Sequence, residues 1–335
     1  MARHAAVLAT GDAHGKLILV GEHAVIRGFP AVAIPLSTVS ATATFRSRRG
    51  PFRLITSFGG GDLVSGPEST AGLRACVRAT FAALGLDGGD HELVVRASIP
   101  IGVGLGSSAA VAVASVRAIF AAAEKAPEFD VLRSLADIAE QHAHGSPSGV
   151  DVATVSLDSA ICYTRDKGPE PVPLGAPLTL VVADSGIPSR TRDAIQHVRD
   201  RAGRFPRGTG FLLAKIGELA GPMRLALAQG SPEMAGRLLN RAQEVLQALG
   251  LGIPATNHLV DAARRAGACG AKATGAGLGG SVVAVARGDR EAGEIKRALL
   301  GAGARHLWIV TMGKGAALCP KSGSGNKIIS AGRYR

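Results

Sequence analysis

Residues 99–116 carry no charged side chain, and no other stretch of the 335-residue chain constrains its fold as strongly. An uncharged run of that length approaches what a membrane-spanning helix needs. Its composition argues against one, because Gly102, Gly104, Gly106, Ser107, Ser108 and Ser115 put too much flexible and polar backbone into it for a lipid-facing helix. The run reads instead as a glycine loop passing into a buried helix. Such a helix needs layers packed over it, and the chain is long enough for two domains of ordinary size, each with its own core. Aromatic residues are only 4% of the chain, so that core must be Ala, Val, Leu and Ile, which favours helices packed on sheets.

The formal net charge is +12, which would suit a nucleic acid, an anionic membrane surface or a polyanionic small substrate. No single basic block dominates. Trp308, Tyr163, Tyr334 and nine phenylalanines make a poor stacking platform for bases, so no nucleic-acid partner is expected. Cys76, Cys162, Cys269 and Cys319 are widely spaced with no C-x-x-C pair, which suits free thiols in a reducing cytoplasm. The N-terminal MARHAAVLATGDAHGK lacks the apolar core of a secretory signal, so a cytoplasmic protein with no membrane contact is expected.

Strands are expected at residues 31–35, 41–45, 92–98, 281–286 and 306–311, with Lys16 beginning another that runs into a turn, and residues 178–183 form a further short apolar run. Helices are expected over 127–142, where Asp130 could be the cap, and over 291–300. The clearest helix starts with Ser231 as N-cap and Pro232 at the first position, and stops at Gly250. Strands alternating with helices predict an α+β architecture. The last twenty residues are basic and rich in Gly and Ser, and read as a frayed tail.

Four segments could carry chemistry. PIGVGLGSSAA at 100–110 lets backbone N–H groups approach a phosphate at a helix N-terminus, with two hydroxyls able to ligate Mg²⁺. It is neither a Walker A loop nor a G-x-G-x-x-G dinucleotide loop. HGSPSGVD at 144–151 holds the Asp151 carboxylate at the end of a rigid turn, able to orient or deprotonate a hydroxyl or simply to cap a helix. Glu140, upstream on the expected helix, reads in isolation as a solvated face residue. KATGAGLGGS at 272–281 is a second glycine loop, either a tight hairpin or a wall closing on an anionic ligand. In GKLILVGEHAV at 15–25, Glu22 and His23 follow Gly21 in a turn where they could face a cleft.

In this order and spacing the four segments resemble the kinase superfamily of galactokinase, homoserine kinase, mevalonate kinase and phosphomevalonate kinase, over nearly the whole chain. GKLILVGEHAVIRGFPAVAIPL, HGSPSGVD and DSGIPSRT at 184–191 are similar to the mevalonate kinase branch. The resemblance implies an α+β two-domain small-molecule kinase fold. Its N-terminal ATP-binding domain, like ribosomal protein S5, would cover 1–176, its C-terminal ferredoxin-like domain 177–315, and the basic tail 316–335.

By the same resemblance Asp151 matches the catalytic acid position and Lys16 the neighbouring lysine. Gly102, Gly104, Leu105, Gly106, Ser107 and Ser108 match the phosphate loop, and Ser108 and Glu140 the Mg²⁺ ligands. Lys16, Glu22, His23, Ser185, Gly277 and Gly279 match substrate-lining positions. Leu278 departs from the pattern, where a further glycine is common. The implied reaction is ATP- and Mg²⁺-dependent phosphorylation of the C5 hydroxyl of mevalonate in isoprenoid precursor biosynthesis, by a homodimer. Phosphomevalonate kinase or another small-alcohol kinase is the alternative. A ligand-binding regulator without turnover and an RNA-binding protein are the competing classes, and the joint presence of Asp151, Lys16, Ser108 and Glu140 argues against the regulator. The arginines at 190, 192, 199, 201, 204 and 207 form either a solvated helix face or a contact for phosphate or carboxylate.

Overall fold

The computed structural model describes residues 6–145, 147–189 and 191–313. The first half is built on one sheet. Strand β1 (Val7–Val20) pairs with β2 (Ala31–Ser47), followed by β3 (Arg53–Thr56), β4 (Gly59–Gly61), helix α1 (Ala71–Leu84) and β5 (His91–Ala97). Helices α2 (Ser107–Ala122), α3 (Phe129–His144) and α4 (Val150–Leu157) then precede β6 (Ile161–Thr164) and β7 (Gly168–Pro171). The strand order is β4-β3-β5-β2-β6-β7, with β1 against β2, and only the β3–β5 pair is parallel.

The strands expected at 31–35 and 41–45 are one strand, β2. Exposed Ser37 and Thr38 carry it across the gap as a bulge in β2, for His14 of β1 faces Ser40 while the next residue, Gly15, faces Leu36. Such a bulge keeps the apolar positions of both ends facing the core. Lys16 accordingly stands inside a strand that begins at Val7, not at its start. Helix α2 is buried from Ala109 through Val116, as a helix with apolar residues on every face must be. It crosses β1 in backbone contact: a Cβ on Gly11 would fall 2.4 Å from the Ala114 carbonyl oxygen. Helix α3 starts at Phe129 after extended Glu128, and Asp130 lies in its first turn instead of capping it. There its charge opposes the positive end of the helix.

The second half contains β8 (Leu178–Asp184), helices α5 (Thr191–Arg204), α6 (Pro206–Glu218), α7 (Ala220–Gln229), α8 (Pro232–Ala248) and α9 (Pro254–Arg265), then β9 (Gly270–Thr274), β10 (Ser281–Ala286), α10 (Asp289–Gly301) and β11 (His306–Met312). The antiparallel order β11-β8-β10-β9 is the ferredoxin-like arrangement. Strands β8 and β10 read as unbroken apolar runs because both faces are covered. Val181, Ala183, Val282 and Ala284 pack with α9 and α10, and the alternate residues Leu180, Val182, Val283 and Val285 pack with α8. The Ser231 side chain accepts from the Met234 amide at 3.2 Å, the expected cap of α8.

The change of sheet falls between Pro171 and Leu178, and the apolar core does not divide there. Leu180, Val182 and Met312 belong to the same cluster as Leu17, Val32 and Phe45. The two halves share a core because α8 packs on β1 and β11 on β2. The tail at 316–335 lies outside the described residues, as does Cys319. The other three cysteines are free thiols, and among the described residues no helix is long and apolar enough to cross a membrane.

Candidate active site

A cleft of about 850 Å³ opens where the end of β1, the loop before α2, the end of α3, the start of α4 and the start of α5 converge. Gly102, Gly104 and Gly106 of the loop have φ of +76°, +82° and +76°, values that only glycine adopts without strain. Gly106 takes the N-cap position of α2, and no side chain caps that helix. The first-turn amides around Ser107 and Ser108 are thereby left to a ligand, at the positive end of the helix dipole. The loop is held from two sides. The Lys16 amide donates to the Leu105 carbonyl at 3.0 Å and the Ser189 amide to the Gly102 carbonyl at 2.7 Å. The Ser281 hydroxyl donates to the Val103 carbonyl at 3.0 Å.

Lys16 projects from β1 with its Nζ 3.0 Å from Asp151 Oδ1. Lys16 is buried, whereas the Asp151 side chain is 28% exposed toward the cleft. Asp151 lies in the first turn of α4 behind Gly149, where a Cβ would fall 2.3 Å from the Tyr163 hydroxyl oxygen. This packing holds the turn, of which Ser146 lies outside the described residues.

Glu140 is not on a solvated face: it is 3% exposed, on the buried stripe of α3 with Leu132, Leu135 and Ala136. Burial first, and then the Asp151 carboxylate, push its carboxyl up to about 7, with the Ser108 hydroxyl and Lys16 pulling the other way. Its Oε1 has no hydrogen-bond partner among the described residues, and its Oε2 lies 3.6 Å from His144 Nε2. Burial lowers the pKa of His144 and of His23.

Glu22 and His23 do line the cleft, but they are tied down, not free. Glu22 pairs with Lys272 of β9, and His23, at φ +60°, donates from Nε2 to the Ala276 carbonyl at 2.9 Å. Three expected residues lie off the cleft wall: Ser185, Gly277 and Gly279. The β9–β10 hairpin folds back on its neighbours, so that Gly277 meets Leu251, Gly279 meets the Ile187 carbonyl, and the Ser185 amide bonds the Gly280 carbonyl at 3.0 Å. Gly275 and Ala276 reach the wall in their place.

Sequence reasoning missed the role of Lys272 and one whole arm of the cleft, walled by Phe58, Glu68, Ser69, Gly72 and His142. These residues belong to no sharp motif. Of the arginines around α5, Arg192 lines the cleft and Arg190 lies outside the described residues.

A glycine loop feeding a helix N-terminus, beside a paired lysine and carboxylate, is an arrangement suited to phosphoryl transfer. The profile for the GHMP kinases N-terminal domain matches residues 72–159, and the GHMP kinases C-terminal profile matches residues 223–305. The chain is 34% identical over 300 residues to a mevalonate kinase of Aeropyrum pernix, spanning 87% of this chain and 91% of that protein. It is 31% identical over 303 residues to a mevalonate kinase of Pyrococcus horikoshii, spanning 84% and 89%. The crystal structure of L. major mevalonate kinase in complex with R-mevalonate has the same fold, with a TM-score of 0.80 at 23% identity over 92% of this chain and 97% of that one. The chain belongs to the GHMP kinase family. It is an enzyme, a kinase, and its family implies ATP as phosphoryl donor.

Proposed function

We propose that this kinase transfers the γ-phosphoryl group of ATP to the C5 hydroxyl of mevalonate, giving 5-phosphomevalonate. The single observation that carries the mechanism is the Lys16–Asp151 pair at 3.0 Å in the cleft, with Lys16 packed against Gly106 of the phosphate loop. The substrate rests on similarity to mevalonate kinases across most of the chain.

Phosphoryl transfer needs an in-line hydroxyl and stabilised charge far more than covalent help from the protein. Asp151 takes or orients the proton of the C5 hydroxyl, and the Lys16 ammonium stabilises the oxyanion as it develops. Backbone amides from Gly104 to Ser108 cradle the phosphates. The arm walled by Phe58, Glu68 and Ser69 takes the nucleoside, and His23 and Glu22 border the acceptor.

The residues present fit Mg²⁺. Glu140 offers a buried oxygen without a partner, beside the Ser108 hydroxyl at the phosphate loop. Among the described residues there is no cluster of three or more His, Cys, Asp or Glu side chains for a metal, and Mg²⁺ bound together with phosphates needs only one or two carboxylates. Glu140 and Ser108 would hold it. Bound there, it would neutralise charge on the transferred group.

The test is ADP release with Mg-ATP and mevalonate, phosphomevalonate, galactose or homoserine, each offered alone. Turnover with mevalonate only is the expected result. Turnover with phosphomevalonate instead moves the substrate one phosphorylation onward, and silence with all four removes the proposal.

A further inference from the structure

Lys272 is fully buried in the middle of β9, opposite Val283, in a strand whose other residues are Gly, Ala and Thr. An aliphatic residue of similar volume would fill that space at lower cost than an ammonium, because a buried ion pair seldom repays its desolvation. The lysine therefore needs a reason beyond packing.

Its partner is Glu22, 3% exposed, in the turn that follows β1. The pair crosses from one half of the molecule to the other, next to two more bonds that do the same. The Thr274 hydroxyl donates to the Ile18 carbonyl at 2.9 Å, and His23 donates to the Ala276 carbonyl. The second oxygen of Glu22 has no partner among the described residues. Lys16 is near enough to repel the Lys272 ammonium, although burial is the larger effect and Glu22 opposes it. Asp151, Lys16 and Glu22 all line the cleft, the first two paired with each other and Glu22 paired with the buried Lys272.

We infer that Lys272 is a positioning residue: by neutralising Glu22 it leaves Lys16 to Asp151. Without it, Glu22 is a buried carboxylate lacking a counter-ion; its neighbour His23 is bonded to the Ala276 carbonyl, and the buried lysine lining the same cleft is Lys16. Moving Lys16 toward Glu22 takes it from Asp151 and from the reacting oxygen. The inference rests on the roles given above to Lys16 and Asp151.

The test compares Lys272→Met, Glu22→Gln and the double variant Glu22→Gln/Lys272→Met. Using the acceptor that the wild type turns over, Lys272→Met should lose about 10²-fold in kcat, the scale of a misplaced catalytic group. The KM for ATP should change less than about threefold, since the phosphate loop is untouched. The double variant should match Glu22→Gln within about threefold, because with the carboxylate neutral Lys272 has nothing left to balance. Additive losses in the double variant, or wild-type kcat in Lys272→Met, overturn the inference. If Lys272→Met does not fold, the comparison of the double variant with Glu22→Gln carries the same decision, since neither leaves a buried carboxylate unpaired. Crystal structures give a readout that needs no turnover. Lys16 should contact Glu22 in Lys272→Met and Asp151 in the double variant, and Lys16 still on Asp151 in Lys272→Met contradicts the inference even if the choice of mevalonate is wrong.

Discussion

The Lys16 ammonium and the Asp151 carboxylate meet at 3.0 Å although one comes from the long first strand and the other from the first turn of α4. Each is placed by a glycine with no room for a side chain. A Cβ on Gly106 would strike Lys16 Cγ at 2.6 Å, and one on Gly149 the Tyr163 hydroxyl oxygen at 2.3 Å. The pair is therefore set by backbone packing, which is what preorganised charge requires.

Gly106→Ala tests that placement. Gly85, the C-cap of α1, has φ +69° and open space around it, whereas Gly106 has φ +76° and Lys16 against it. Both alanine variants bear the left-handed backbone cost of about 1–2 kcal/mol. Only Gly106→Ala should also lower kcat, by at least about tenfold, as Lys16 is pushed aside. Steady-state kinetics beside thermal melts separate the two effects, and equal kcat for both variants would show that Lys16 accommodates the methyl group.

Glu140 gives the metal-free protein a pH dependence of known sign. Its folded carboxyl is near 7, against 4.5 ordinarily. Between those values the folded state keeps a proton that the unfolded state has lost. The contribution to stability is thus fully present below pH 4.5 and gone above about pH 7, a change on the order of 3 kcal/mol. Glu140→Gln removes the dependence. In chelator its Tm should be close to wild type at pH 5 and several degrees above it at pH 8. The same difference at both pH values would mean that the carboxyl is not held protonated by its burial.

Ser231→Ala should cost about 1 kcal/mol of stability through loss of the bond to the Met234 amide. Its kcat and KM should be unchanged, because α8 takes no part in the cleft wall. Altered kinetics would mean that the frame of the second half is coupled to the site.

The features readable from sequence were those fixed by neighbours along the chain. Ser231-Pro232 marks a helix start by local capping chemistry, and the glycines at 102, 104 and 106 announce a loop that feeds a helix. Lys16, Asp151, Ser108 and Glu140 were found as site candidates through motif resemblance. What escaped was set by distant packing. Gly277 and Gly279 look like ligand-facing glycines until the hairpin is seen folded against Leu251 and Ile187. A single lysine in GAKAT gives no sign of burial, because its partner Glu22 is 250 residues away in the chain. Ser37 and Thr38 suggest a break, yet β2 runs through them as a bulge, and pairing with β1 resumes from Gly15–Leu36 on one side to His14–Ser40 on the other.

The central claim is that Asp151, held by Lys16, prepares the acceptor hydroxyl for phosphoryl transfer. The most direct measurement is ADP release by Asp151→Ala with Mg-ATP and mevalonate, together with the ATP affinity of the same variant. The account predicts kcat lower by roughly 10²–10⁴-fold, the scale of a general acid–base contribution, with ATP affinity little changed. An intact kcat in that variant would contradict it.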